Sequence, residues 1–490
     1  MLRPWTLEMS LCDTDGASLS LRIAQRVIVE IGRGRLAPGT ALPGTRELAR
    51  QLGVNRKTVV CAYDELAAQG WVRALGRKGT FIALELPSGA GPAASPAARA
   101  ELPSYELCGP AAASVPPAGG IVFSDGEPDA RLIPFDVLGR AYRRALVATA
   151  RANRLAYGDP RGERALREEV AGMLASQRGL PADADTICLV RGSQMGIFVA
   201  ARVLVRPGDH VAFEALSYPP ARAAFLAAGA TIHALGQDEH GMLPDALEPL
   251  CRTRRVRAVY LTPHHQFPTT STMPPERRLQ LLGLAKEYGF AIIEDDYDHE
   301  FHFAGRPAMP MASLDREGSV IYVGSLSKVL APGLRVGYLA APKAVIDRCA
   351  REILGIDRQG NGVTELAIAE LMRSGELRRH IRRALRIYRD RRETLARCVG
   401  AMLAPMADFT LPNGGLAIWV RFEARVDVDR LAADARALGV SIQPGRVFAA
   451  DERPVQGVRL GFGGLTPEAI GEGVARLRDA LARQGVPERG

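Results

Sequence analysis

Only five of the chain's 63 basic residues are lysines: Lys57, Lys78, Lys286, Lys328 and Lys343. Arginine stays protonated at any working pH, whereas a desolvated lysine can shed its proton and attack a carbonyl. Lys328 is placed for that chemistry. It follows the apolar run Val320-Ile321-Tyr322-Val323, which reads as a buried strand, so its amine is expected at a strand's carboxyl end, where open α/β sheets place their ligands. Gly324, Ser325 and Ser327 are small enough to leave room for a bulky partner and offer hydroxyls to an anion, and Arg335 follows seven residues after the lysine. Aldehyde capture beside a phosphate grip points to pyridoxal phosphate, whose marks are a Schiff-base lysine and a carboxylate at the pyridine nitrogen. A lone lysine at a strand end is more often a surface residue, so the assignment depends on its companions.

Three other strand ends supply them. Phe290-Ala291-Ile292-Ile293 leads into Glu294-Asp295-Asp296-Tyr297-Asp298. Such an acidic run is usually a solvated turn, but a carboxylate here would hold a pyridinium proton, with a tyrosine two residues on reaching the phenolic oxygen. Thr186 to Val190 runs into Arg191-Gly192-Ser193-Gln194 and then a helix bearing Ile197, Phe198, Ala201 and Leu204. A strand, a small-residue turn and a helix amino terminus together make an anion site from free backbone N–H groups. Val256 to Leu261 opens into Thr262-Pro263-His264-His265-Gln266-Phe267-Pro268-Thr269-Thr270. The histidine pair has no further ligand at metal spacing along the chain and reads as loop structure, so no metal is expected.

Behind these strand ends, apolar runs alternate with amphipathic stretches from Ile121 onward, the mark of an α/β fold with a mainly parallel sheet. The amino-terminal segment is different. Leu21, Ile23, Val27, Ile28 and Ile31 recur at helical spacing and stop at Gly32 and Gly34. Thr45 is expected to cap a short helix from Arg46 to Leu52. Gly53 makes a turn, and Asn55 caps a third helix that ends before Gly70. Two short helices around such a turn form a helix-turn-helix, and the second opens with the donors Asn55-Arg56-Lys57-Thr58 where it would enter a major groove. Trp71-Val72-Arg73 and Thr80-Phe81-Ile82 read as paired strands around the basic tip Gly76-Arg77-Lys78-Gly79, a wing.

Charge agrees with that division. Met1 to Ile82 holds twelve Lys/Arg against seven Asp/Glu, a net +5, and the remainder holds 51 against 47, a net +4. About a sixth of the chain thus carries over half of the +9 excess, a local field that attracts polyanions such as nucleic acid. Between Ala83 and Gly120 the composition shifts to Ala, Pro, Gly and Ser, as in a semi-stiff tether. The expected organisation is therefore a DNA-binding domain over 1–82, a linker over 83–120 and an α/β domain over 121–490. No opening hydrophobic run and no 18-residue apolar span occur, which argues against secretion and membrane spanning. Seven scattered cysteines without a C-x-x-C pair fit a reducing cytoplasm and argue against a zinc site.

Pro38-Gly39, Leu42-Pro43, Arg46, Leu48-Ala49, Leu52-Gly53-Val54, Arg56, Thr58-Val59, Tyr63, Leu66 and Gly79-Thr80-Phe81 resemble the winged-helix domain of GntR-family regulators. The resemblance implies that Arg46, Arg56, Thr58 and the wing touch double-stranded DNA. The Ser-Gln turn, the Asp295/Tyr297 pair and the Ser-x-Ser-Lys segment, in that order from about Ile121 to Leu481, resemble a fold-type I aminotransferase with a smaller C-terminal α+β subdomain. Head and domain together are similar to the MocR/GabR family of pyridoxal-phosphate-dependent regulators. By that resemblance Lys328 carries the cofactor, Asp295 faces its pyridine nitrogen and Tyr297 its ring hydroxyl. Ser193, Gln194, Ser325 and Arg335 hold the phosphate, and Tyr218 stacks on the ring. Tyr157 reaches the phosphate of a neighbouring subunit in a homodimer, and Arg459 pairs with a substrate carboxylate. Where aminotransferases have Asn-Pro-Thr-Gly, this chain has Phe267-Pro268-Thr269-Thr270, which removes a hydrogen bond to the ring oxygen. The implied function is a cytoplasmic transcription factor sensing pyridoxal phosphate or an amino compound. The alternative is a working aminotransferase with an accessory head; a domain that has lost its cofactor is disfavoured by the residues retained.

Overall fold

The computed structural model describes residues 18–87, 120–153, 155–303, 305, 307–326, 328–451 and 453–485. The chain divides into two compact units, residues 1–115 and 116–490.

In the first unit, helix Leu19–Gly32 turns Ile23, Val27 and Ile31 inward against Val59 and Leu66 of helix Arg56–Ala68. Leu21 fits the helical repeat but lies on the exposed face. The middle helix is Thr45–Leu52 with Gly44 at its N-cap, so Thr45 does not cap it. Instead the Thr45 hydroxyl accepts a hydrogen bond from Arg56 Nε at 3.3 Å, tying the two helices together. Asn55 does cap the third helix, its Oδ1 accepting the Lys57 N–H at 2.8 Å. Val72–Ala74 and Thr80–Ile82 pair antiparallel around a single 3-10 turn at Gly76–Lys78, which makes the wing. The folded unit runs past the expected boundary at Ile82. Ala83 is buried and donates its N–H to the Trp71 carbonyl, and Leu86 packs against the same core. Most of the expected linker, 88–119, lies outside the described residues.

The second unit is built on a seven-stranded sheet in the order Ile187–Val190, Gly337–Ala340, Val320–Ser325, Ala291–Asp296, Val256–Leu261, His210–Glu214, Thr231–Leu235. Gly337–Ala340 runs antiparallel to both its neighbours, and every other pairing is parallel. Parallel strands need covered faces, and two apolar cores, one holding Leu189, Leu261 and Ile292 and the other Ile293, Val323 and Leu339, lie against the sheet. A smaller antiparallel sheet, Ala407–Phe409, Ala417–Phe422, Gly457–Gly461 and Gln443–Pro444, shares a third core with helices Glu376–Met402 and Pro467–Ala482. No helix among the described residues is long and apolar enough to cross a membrane.

Candidate functional site: a lysine–aspartate cavity

Residues from four strand ends converge on one cavity of about 210 Å³ lined by Ser193, Gln194, Tyr218, Asp295, Tyr297, Ser325, Lys328 and Arg335, among others. The fold brings these eight predicted residues together from positions up to 142 apart in the chain.

The acidic run proves to be strand rather than turn: Ala291–Asp296 continues through all three carboxylates, and each is buried. Alternation along a strand sends neighbouring side chains to opposite faces, so the three acids have different partners. Glu294 accepts the N–H groups of Met311 and Ala312, each at 2.8 Å, and so anchors a short helix. Asp296 accepts the Tyr322 hydroxyl and pairs with His299. Asp295 lines the cavity. Its Oδ2 accepts the Tyr260 hydroxyl at 2.7 Å, and its Oδ1 is buried with no hydrogen-bond partner among the described residues. Burial pushes the Asp295 carboxyl up to about 7, against the lowering by the Tyr260 hydrogen bond and the Lys328 charge. A buried carboxylate oxygen left unpaired is costly, and a protonated ring nitrogen is the partner that would satisfy it.

Lys328 Nζ donates to the Gly126 carbonyl at 3.3 Å and lies 4.8 Å from the centre of the Tyr297 ring. Gly324 does not serve to leave room for a ligand. A Cβ there would fall 2.2 Å from the Tyr338 ring, so the glycine admits that tyrosine under the strand. Ser325 does line the cavity, and Ser327 lies outside the described residues.

At the Ser193 end of the cavity, Gly192 adopts φ +78 and precedes helix Ser193–Leu204, whose first-turn N–H groups have no intrahelical acceptor. A Cβ at Gly192 would meet the Arg335 guanidinium at 3.1 Å. Glycine therefore allows both the turn and the approach of Arg335, which donates to the Arg191 carbonyl at 2.7 Å. Helix N–H groups, two serine hydroxyls and a guanidinium suit a dianionic phosphate. The donor set and the unpaired Asp295 oxygen together fit pyridoxal phosphate, which supplies an aldehyde to capture amines and a ring that withdraws electrons.

Phe267 stands where an asparagine was expected. It is buried among Tyr218, Tyr297 and Phe448, with ring centres 5.1, 6.1 and 5.4 Å away, so an apolar wall replaces a polar contact. The Tyr297 hydroxyl donates to the His265 carbonyl at 3.0 Å and receives Arg459 Nη2 at 3.3 Å. In this arrangement it serves the loop instead of projecting an unengaged hydroxyl into the cavity.

Two predicted residues stand apart. Arg459 is buried but does not line the cavity; it donates to the carbonyls of Asp125 and Pro268, each at 2.9 Å, and stacks over Phe267. Tyr157 is 74% exposed, under the Arg358 guanidinium, in a different cavity of about 720 Å³. Sequence reasoning missed Tyr260, Asp125 and Gly126. Tyr260 had a signal, because it sits two residues before Thr262, ahead of the Pro263 break, and at even spacing from the inward Ala258. Asp125 and Gly126 had none, since they belong to a loop whose neighbours are far away in the chain. The histidine pair also needs correction: His299 and His302 lie beside His264 in space, although they are more than thirty residues away in sequence.

In the first unit, Arg46, Asn55, Arg56, Lys57 and Lys78 are exposed and Thr58 is half-buried. The Arg77 backbone lies in the turn at the wing tip, and its side chain lies outside the described residues.

Residues 119–477 match the family described as Aminotransferase class I and II, and residues 19–82 match Bacterial regulatory proteins, gntR family. The chain is 33% identical to the HTH-type transcriptional regulator TauR of Rhodobacter capsulatus, over 95% of this chain and 96% of that one. It is 30% identical to the probable rhizopine catabolism regulatory protein MocR of Rhizobium meliloti, over 94% and 93%. Among solved structures, the multiple substrate aminotransferase of Thermococcus profundus aligns with a TM-score of 0.71 at 29% identity, covering 75% of this chain and 93% of that one. The chain therefore belongs to the family of MocR- and TauR-type HTH regulators, which join a GntR-type head to a class I/II aminotransferase domain.

Proposed function

We propose that this protein is a pyridoxal-phosphate-dependent, DNA-binding transcription regulator of the cytoplasm, working as a homodimer and responding to an amino compound that enters the Lys328 cavity. The observation that carries this reading is the joining, on one chain, of a winged helix with exposed Arg56 and Lys57 and a cavity that fits the cofactor. In this reading Asn55, Arg56, Lys57 and Thr58 enter the major groove, with Arg46, Arg77 and Lys78 on the backbone and wing. Lys328 carries the cofactor, Asp295 holds its ring nitrogen, and Tyr218 and Tyr297 flank the ring. Ser193, Gln194, Ser325 and Arg335 hold the phosphate, and Tyr157 acts across the dimer.

Arg459 supplies the response. Three of the five N–H groups of its guanidinium already donate to two carbonyls and the Tyr297 hydroxyl, and it stands behind the cavity lining, so an effector carboxylate grips its fork only by an exchange that rearranges these contacts. Asp125 and Tyr297 both line the cavity, so that exchange changes the cavity wall. A ligand shifts a conformational equilibrium only through differential affinity for its states, and this exchange provides one.

The competing reading, a metabolic aminotransferase, draws on a second observation: the chain is 30% identical over 74% of its length to aromatic-amino-acid aminotransferase 1 of Thermococcus litoralis. One experiment separates the two. Purified protein with bound cofactor is mixed with candidate amino acids while operator binding and keto-acid release are followed together. The regulator reading expects changed operator binding with little release. Steady keto-acid formation at roughly 1–1,000 per second with unchanged DNA binding would overturn it.

A further inference from the structure

Four of the eight histidines, His264, His265, His299 and His302, meet behind the carboxyl end of strand Ala291–Asp296. His264 is only 3% exposed, yet neither of its ring nitrogens has a hydrogen-bond partner among the described residues. A neutral imidazole brings one N–H and one lone pair, and leaving both unpaired in the interior is expensive. Asp296, also 3% exposed, has an unpartnered Oδ1 in the same place. One donor atom from each of His264, Asp296 and His299 lies within 4.8 Å of the others.

We infer that His264, Asp296 and His299 bind a divalent transition-metal ion of the zinc class. Two imidazole donors suit such ions better than magnesium or calcium, and two histidines with one carboxylate leave a coordination position for water. Outer interactions of the kind that orient metal ligands are in place. Without an ion His299 Nδ1 and Asp296 Oδ2 are hydrogen-bonded at 2.8 Å, a contact that binding exchanges for a bond from each residue to the metal. Tyr322 donates to the same Oδ2 at 2.5 Å and is itself held by Arg178. Tetrahedral ligands about 2.0–2.1 Å from zinc sit roughly 3.4 Å apart, so donors lying within 4.8 Å of one another close by at most about 1.4 Å on binding.

A cavity of about 830 Å³ reaches His299, Glu300 and His302 and gives the ion a way in from solvent. An ion here pins the strand end one residue from Asp295, the residue expected to hold the cofactor ring.

The test uses full-length, untagged protein carrying its cofactor, stripped with a chelator and dialysed against zinc. Elemental analysis is expected to find one zinc per chain, with a thermal midpoint that rises as zinc is added. His264→Ala and His299→Ala should lose both the ion and the zinc-dependent rise, while His240→Ala, at an exposed position, keeps both. Because these variants could fold poorly, the unmodified protein decides independently through cobalt substitution. Visible ligand-field bands of a nitrogen- and oxygen-ligated cobalt support the site. Less than a tenth of an equivalent of zinc with no midpoint shift, or an ion retained by His264→Ala or His299→Ala, overturns it.

Discussion

At the residue scale, Asp295 combines burial, an unpaired oxygen and a neighbouring lysine, and these set testable chemistry. In cofactor-free protein its carboxyl titrates near 7, above the ordinary aspartate value, because burial disfavours the charge. A carboxyl with a raised folded pKa binds its proton more tightly when folded. Its contribution is therefore complete below about pH 4 and is lost as pH rises towards 7, at about 1.4 kcal/mol per pH unit at most. The thermal midpoint of cofactor-free protein should fall between about pH 4 and 7, and Asp295→Asn, which cannot ionise, should flatten part of that fall. Glu214 and Glu294, likewise pushed to about 7 by burial, supply the part that remains in the variant. The same substitution removes a charge-assisted hydrogen bond worth about 1.5–3 kcal/mol. Equilibrium dialysis should then show pyridoxal phosphate binding weakened roughly 10- to 150-fold. Borohydride fixation followed by peptide mapping should place the cofactor on Lys328; an adduct on Lys286 or Lys343 contradicts the assignment.

At the element scale, the cavity depends on strands kept close by small residues, and Gly324 is the sharpest case. The strand Val320–Ser325 passes over the Tyr338 ring of its antiparallel neighbour so closely that no side chain fits. Gly324→Ala should cost about 1–3 kcal/mol or more through overpacking, read as a lower urea midpoint with cofactor occupancy falling in parallel. The same strand shows what the sequence makes legible. Periodicity marks an apolar run, so Val320 to Val323, Val256 to Leu261 and helix Ser193–Leu204 could be read from it, as could the Asn55 cap and the wing. Apolar periodicity is silent where a strand carries charge, and so Glu294 to Asp296 resemble a turn until their partners are visible. The Thr45 cap fails because Gly44, one residue earlier, takes the cap conformation and leaves the threonine hydroxyl for Arg56. Tyr338 beneath Gly324, and His299 beside His264, are tertiary neighbours that spacing along a chain cannot encode.

At the scale of the whole molecule, DNA binding by the first unit and the amine capture proposed for the second are separate tasks, and each can be weakened alone. Arg56→Ala and Lys57→Ala should weaken operator binding and lower the slope of log affinity against log salt by about one for each phosphate that is no longer neutralised, with cofactor absorbance unchanged. Communication between the tasks is assigned to Arg459, and its geometry dictates which variant is informative. Alanine there strands the Asp125 and Pro268 carbonyls without their donor in a buried place, at about 1–3 kcal/mol for each unsatisfied group, so an abolished response would be confounded with reduced stability. Arg459→Lys keeps the charge and a donor nitrogen but not the planar fork that grips a carboxylate at two points. In that variant the carboxylate-bearing effector should need at least about ten times the concentration to change operator binding, a weakening of about 1.4 kcal/mol. An amine lacking a carboxylate should act on it as on the parent protein. Operator titrations at several effector concentrations decide the matter: an unchanged midpoint for the carboxylate effector places the sensing group in the cavity wall instead, while equal weakening for both amines means that Arg459 only holds the loop in place.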